Sequence, residues 1–526
     1  MRLFPRLAAG LLAAFLASTA VAQADQVLRR PSESEPDTLD PQKTSSAVPI
    51  SIGRDLFAGL AMLDADEKPV PAEAESWDVS PDKRVWTFHL RHDGKWSNGD
   101  PVTSADFLYS FRRLVDPATA AADPSDLNQV VGYEAIITGK EKDLTKLGVE
   151  APDPYTLKIT LNQPRIAFPL LLTDWSLFPL HRASIEKWGK DWTQPGHLVS
   201  NGAFRLKSWT PQTDLVLEKN PMFYDAAAVK IDEVHWLNAE DQEAALRRYR
   251  AGELDWVGLT RNNLAWAKQN LADQFHSAPA NQHAFMPINM VSGPPAHDIR
   301  IREALNLAID RETLVTKIDP RGEQAAYGIM PPVISDYTPQ EMSFKSMSLA
   351  DRLKKAKELM AAAGYTPDHP MVLTAIYPTQ DSTRQLLLAI AAMWKPIGID
   401  LKLDNMEWQV YMSNIAQRNY QLGMMGEYGS YNDYESPLDN YRSDAGQFNA
   451  PGYANPKFDD LFHHGGIAPD MATRRDLMQQ AERVLIDDYA IIPLEFGVIN
   501  RVINPKLQGP IMTDYFPQSR LLSFKN

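Results

Sequence analysis

The chain has 526 residues, no cysteine and a formal charge of −14. Without thiols there can be no cysteine nucleophile, thiolate zinc site or iron–sulfur cluster, and the acidic balance makes nucleic acid a poor partner, since phosphate binding needs clustered Lys and Arg. With 44% hydrophobic residues and no long low-complexity tract the sequence is that of a folded protein, long enough for two to four domains and for a core that needs no cross-links.

The N-terminus, MRLFPRLAAGLLAAFLASTAVAQA, places Arg2 and Arg6 before an apolar run from Leu7 to Leu16, followed by small residues. This is the pattern of a secretory signal peptide, with cleavage expected after Ala22 or Ala24. The run is too short for a membrane span, which needs about 20 residues. A lipoprotein leader would require a cysteine to carry the lipid. The expected product is therefore free in the periplasm, with a charge of −16 once both arginines are gone.

Along the mature chain the hydrophobic period switches repeatedly between the helical and the strand template, which indicates mixed α and β structure. In VWTFHLR, Trp86, Phe88 and Leu90 alternate with polar residues and predict a half-buried strand. The turn residues Asn98-Gly99-Asp100-Pro101 follow, and Thr103 with Asp106 forms a capping box that predicts a helix start. Further strands are expected at Tyr155–Leu161, Leu215–Leu217, Val234–Leu237 and Ile399–Leu403. Helices are expected at Ile299–Ile309, capped by Asp298, and at Leu349–Ala363, between Ser348 and Gly364. Two apolar segments containing proline, His283–Met290 and Ala490–Val498, are candidates for chain crossings between lobes.

The stretch YGSYNDYESP, Tyr428–Pro437, crowds aromatic and hydroxyl-bearing residues around Asp433 and Glu435 and contains no cation. A carboxylate enclosed by protein is costly unless it is paired and hydrogen-bonded, and the segment itself offers no cation to neutralise either acid.

The run ESWDVSPDKRVWTFHLRHDGKWSNGDPVTSADFLYSFRRLVDP, Glu75–Pro117, closely resembles the signature region of the extracellular solute-binding proteins of peptide/nickel-type ABC transporters. The resemblance continues through LDPQK (Leu39–Lys43), RDLFAGL (Arg54–Leu60), WTQPGHLVSNGAFRLKSW (Trp192–Trp209), RYRAGELD (Arg248–Asp255), DIRIREALNLAIDRE and AYGIMPP (Ala326–Pro332), in the same order over nearly the whole mature chain. It implies an α/β (mixed α+β) fold of the type II periplasmic-binding-protein class, with two hinged lobes and an inserted domain that close over a ligand. The expected division is a signal peptide at 1–24, lobe I from 25–57 with 182–283 and 498–526, an inserted domain at 58–181, and lobe III at 284–497. The implied partners are a peptide or peptide-like ligand and the permease subunits of an ABC importer. The implied protein is monomeric and carries no cofactor, metal or catalytic residue.

Within that resemblance an extended peptide is held mainly through its backbone, and an aspartate in a D-Y-x-x-P-like segment takes its α-ammonium. Here the pattern falls on Asp433-Tyr434-Glu435-Ser436-Pro437, three residues later than an ungapped count from Trp408, which would give Ser430. Trp408 matches an aromatic pocket position, and Tyr428 and Tyr434 flank the anchor. The cations that receive the peptide carboxylate in the family are missing, replaced by Thr383, Ile415 and Met424; Arg384 and Arg418 are nearby substitutes. Asp123 and Asp126, in Ala122–Asn128, stand where the family has tyrosine, and Ser45 and Ala47 match backbone-contacting positions. The cleft is thus expected to be more acidic, suiting cationic peptides, peptides of unusual length or a peptide-like conjugate.

A non-peptide solute in the same fold, a secreted hydrolase and an adhesin or chaperone-like protein are the rival readings. The sequence has no G-x-S-x-G elbow and no H-E-x-x-H helix. The adjacent His463 and His464 are expected to be a loop or helix-end pair, not metal ligands, and the doublets Asp459-Asp460 and Asp487-Asp488 solvated helix surface.

Overall fold

Two hydrophobic cores and a pair of long strands joining them organise the molecule. The computed structural model describes residues 26–429, 432–512 and 517–525; the expected leader and Ser430 lie outside the described residues. Around the first core, Val27–Ser32 runs parallel to Glu233–Asn238, followed antiparallel by Asp214–Lys219 and Phe204–Thr210. A second antiparallel sheet joins Ala74–Val79, Val85–Leu90, Thr156–Thr160 and Val149–Asp153. As the alternation predicts, Trp86, Phe88 and Leu90 point inward, where Phe168 lies against Trp86 and Phe88 in the cluster that also holds Phe107 and Phe111 of the helix Ser104–Val115. The capping box is present, with the Thr103 amide donating to Asp106 at 2.8 Å. Both sheets share one continuous cluster that includes Leu28, Leu217 and Val234, so the expected insertion packs onto the first lobe rather than standing apart from it.

The second core collects Leu305 from Ile299–Leu307, Met360 from Leu349–Ala362, Trp394 from Asp381–Trp394, and Met478 and Leu485 from Met471–Asp487. They surround the parallel strands Met371–Pro378 and Ile399–Met406. Asp298 and Ser348 cap their helices as expected, accepting from the amides of Arg300 and Asp351 at 3.0 and 3.1 Å.

The two proline-containing crossing segments pair with each other. They belong to the strands Phe275–Pro287 and Ile491–Ile503, antiparallel from Phe275 opposite Val502 to Pro287 opposite Ile491. Val502 lies in a small cluster with Tyr249 and Leu254, whereas Phe285, Met286, Ile491 and Ile492 belong to the second core. The register shifts between Pro279 and His283 and again between Ala284 and Phe285. Pro279 has no N–H to donate and bulges interrupt the ladder, so bending here disturbs few hydrogen bonds. That is a physical basis for a hinge.

Candidate functional site

A cavity of about 1030 Å³ lies where the two cores meet. One side is formed by Thr44, Ser45 and the residues around Asp126, Arg165 and Asp174; the other by Glu427–Gly429, Glu435–Pro437, Asp439, Phe448 and His463; Asn281 and His283 of the crossing strand close the hinge end. The motif LDPQK is held for this purpose by Arg113, which meets Asp40 at 2.6 Å and donates to Gln42 at 2.6 Å, while Gln42 donates to the Ser110 carbonyl at 2.9 Å. Similarly Asn201 exchanges hydrogen bonds with the backbone of Ala58 and donates to Glu73 at 3.0 Å. The motifs that carry the sequence resemblance are therefore largely scaffold around the cleft.

The stretch Tyr428–Pro437 has its cation after all, but the fold supplies it from 41 residues downstream. Arg474 donates to both oxygens of Asp433, at 2.8 and 2.7 Å, and to Glu435 at 2.5 Å. Arg165, from the other side of the cleft, pairs with the second oxygen of Glu435. Burial alone would raise the Glu435 pKa, but the charges of Arg165 and Arg474 outweigh it and hold the group below its usual value. Arg474 is fully enclosed. Burial works against its charge, yet its bonds to Asp433 and the two carboxylate charges raise its pKa well above normal. The Tyr434 ring lies 4.5 Å from the guanidinium and stacks on Tyr337. The sequence did hold a signal for Arg474. On MATRRDLMQQAERVLID it shares a helical face with Met478, Ala481 and Leu485, all buried, and an arginine on an apolar face needs a buried acid.

Glu427 presents the opposite situation. Its strand, Met425–Tyr428, pairs with the crossing strand so that His283 is directly opposite. The His283 Nε2 and Glu427 Oε2 are 3.6 Å apart, and neither has a hydrogen-bond partner among the described residues. Burial pushes Glu427 up to about 7, tempered by a hydrogen bond from Asn440, and pushes His283 down to about 4. On the other side of the cavity Asp126 accepts from the Ser176 hydroxyl at 2.7 Å. Burial and the neighbouring Asp174 carboxylate raise its pKa well above the usual range.

Of the residues singled out from sequence, Ser45 and Tyr428 line the cavity, as do Asp123 and Asp126. Asp433 and Tyr434 are buried behind the wall, in the arginine network. Ala47 begins the helix Ala47–Leu56 and is exposed outside the lining. Trp408 opens the helix Trp408–Gln417, 53% exposed and set against Tyr411. Arg384 is exposed on Asp381–Trp394. Arg418 donates to the carbonyls of Gly446 and Asn449, at 2.8 and 3.0 Å, and so fastens the loop that carries Phe448. His463 and His464 are in the last turn of Pro456–Gly466, and among the described residues no group of His, Asp and Glu has the arrangement of a metal site. Sequence reasoning missed Glu427, Asp174, Arg165 and Arg474.

Comparison with known proteins accounts for this architecture. The family model for bacterial extracellular solute-binding proteins, family 5 (middle), matches residues 68–449. The chain belongs to that family. This family 5 protein is 37% identical over 520 residues to the periplasmic oligopeptide-binding protein OppA of Escherichia coli K12, covering 95% of this chain and 94% of that one. Among solved structures it is similar to the unliganded open form of the periplasmic murein tripeptide-binding protein MppA, at 34% identity and a TM-score of 0.85, over 95% of this chain and 98% of that one. It is also similar to Haemophilus influenzae OppA in complex with RPPGFSPFR, at 32% identity and a TM-score of 0.77, over 95% and 99%. Its mixed α/β fold is that of a type II periplasmic binding protein. No helix among the described residues is long and apolar enough to cross a membrane.

Proposed function

We propose that this family 5 protein captures peptides in the cleft between its two cores and delivers them to the permease of an ABC importer, with no chemistry of its own. The observation that carries the reading is the placement of a sheet edge at the cleft. Among the described residues Met425–Tyr428 is the outermost strand of its sheet, and its last two residues line the cavity. An edge strand offers unpaired N–H and C=O groups to an extended backbone, which gives affinity without reading side chains. Tyr428 and Ser45 contact the bound peptide, and the bulged strand pair 275–287 and 491–503 bends as the lobes close. Asp433 meets the ligand ammonium only where that ammonium displaces Arg474 from one carboxylate oxygen; otherwise it positions Glu435. The leader is removed on export, and the mature monomer acts in the periplasm without a lipid anchor.

Native mass spectrometry of protein isolated from its own periplasm tests this reading. The expected result is a complex that releases peptides on denaturation. Release of a non-peptide solute alone, with no binding of added peptides by calorimetry, overturns it.

A further inference from the structure

The cleft sorts its carboxylates into two groups. Glu435 has two arginines, and Asp439 and Asp444 share Arg442 at 2.8 and 2.6 Å. Glu427, Asp126 and Asp174 have no Lys or Arg in salt-bridge reach among the described residues; Glu427 has only the buried His283, 3.6 Å away, and Asp126 stands beside the Asp174 charge. Among the described residues that line the cavity, nine are acidic and three are arginines. An acidic surface alone would be unremarkable, since exposed charges keep a protein soluble. Glu427 differs because it is only 15% exposed and faces an imidazole that is 3% exposed, each presenting an unsatisfied atom in the cavity wall.

Closing lobes remove water from such a site, and an unpaired carboxylate then either takes a proton or takes a cation. His283 cannot be that cation, because its own burial disfavours the charged ring. Asn440 stabilises the ionised form with one hydrogen bond and brings no charge. Tyr441, next along the chain, is buried with its hydroxyl unpartnered and remains neutral. None of these neighbours brings a charge, so a cation that keeps Glu427 ionised in the closed cleft comes with the ligand.

Resting on the peptide-binding reading above, we propose that Glu427, with His283 and Asn440 around it, receives a cationic group of the bound peptide, so that lysine- or arginine-bearing peptides bind in this acid-rich cleft better than acidic ones. The cation at Glu427 is an ammonium or guanidinium; whether it is the peptide's own terminus or a side chain is decided by the arms of the test.

Calorimetry on the full mature protein compares tri-lysine, N-acetylated tri-lysine, trialanine and tri-glutamate. Tri-lysine is expected to bind at least 100-fold more tightly than tri-glutamate. Glu427→Gln is expected to weaken tri-lysine at least tenfold. Retained affinity for the acetylated peptide assigns Glu427 to a side chain, and its loss assigns it to the terminus; both support a cation there. A second signature is proton release: at pH 6.5, where Glu427 is still partly protonated, the tri-lysine enthalpy is expected to depend on buffer ionisation, and Glu427→Gln to reduce that dependence. Equal wild-type affinity for tri-lysine and tri-glutamate overturns the proposal even if Glu427→Gln fails to fold. So does a folded Glu427→Gln with an unchanged Kd for tri-lysine. Binding of trialanine in either case leaves the peptide reading intact, whereas failure of all four peptides on folded wild-type protein removes that reading and this inference together.

Discussion

Arg474 grips Asp433 with two parallel hydrogen bonds, at 2.8 and 2.7 Å, across 41 residues of sequence. Bidentate guanidinium–carboxylate pairs combine charge with fixed geometry. Here the same guanidinium also reaches Glu435, which a second arginine from the far side of the cleft approaches from its other oxygen.

Removal of Arg474 is therefore expected to be a stability defect first. Arg474→Ala leaves Asp433 without a cation and Glu435 with one, and breaking a buried pair from one side costs roughly 3–5 kcal/mol. Arg474→Lys keeps the charge but not the fork and should restore only part of it. Chemical denaturation of the mature protein checks both, and an Arg474→Ala midpoint equal to wild type would contradict the buried network.

Asp433→Asn separates two roles for the residue expected to hold the ligand. If Asp433 mainly orients Arg474, the variant loses on the order of 1.5–3 kcal/mol of stability, the value of a hydrogen bond to a charged group, and binds peptides with a Kd within a few-fold of wild type. A large rise in Kd with an unchanged Tm would assign the residue to the ligand. Calorimetry paired with thermal denaturation gives the answer.

Buried glutamates predict a stability that declines as pH rises. Glu73 accepts from Asn201 at 3.0 Å and is pushed by burial up to about 8; Glu482, bonded to Tyr337 and the Gln340 amide, is pushed to about 7. With a folded pKa above the unfolded one, the native state keeps its proton while the unfolded chain releases it. Stability then falls between about pH 4.5 and 8, by at most ~1.4 kcal/mol per pH unit for each such proton. Glu435 has the opposite sign, since its lowered pKa gives stability that is lost as pH falls through the folded value. Glu73→Gln should cost little at pH 6 and raise the Tm at pH 9 relative to wild type, as measured by calorimetric melts.

Gly202 predicts a steric defect. A Cβ here would be 2.5 Å from the Leu56 carbonyl carbon and 2.6 Å from the Phe57 nitrogen, backbone atoms that cannot swing away, while the Gly202 amide donates to the Leu56 carbonyl at 2.8 Å. Gly202→Ala is expected to cost about 1–3 kcal/mol or more, the scale of overpacking, visible as a lowered Tm without any new ligand preference.

Arg418 and Arg384 predict how the peptide's C-terminus is treated. Because Arg418 is committed to two loop carbonyls and Arg384 is exposed outside the lining, Arg384→Ala should leave Kd unchanged. Arg418→Ala should weaken free and amidated peptides equally, by loosening the loop that carries Phe448. A loss confined to free-carboxylate peptides would make either arginine a ligand contact.

What could be read from the sequence was local or collinear. Alternation fixed the strand at Trp86, Phe88 and Leu90, side-chain oxygens fixed the helix starts at Thr103, Asp298 and Ser348, and the long ordered run of motifs gave the family and with it the lobed fold. These signals survive in one dimension because they depend on spacing of a few residues or on order along the chain. Charge pairing does not. Whether an acid is satisfied depends on what folding brings beside it: Asp433 looks stranded in sequence because its partner is on the distant helix Met471–Asp487, and Glu427, unremarkable in MGEY, is left without a Lys or Arg because strand register sets it opposite a buried histidine. Only tertiary structure decided which acids of the cleft are already neutralised, because electrostatic compensation acts through space over a few ångströms and takes no account of separation along the chain.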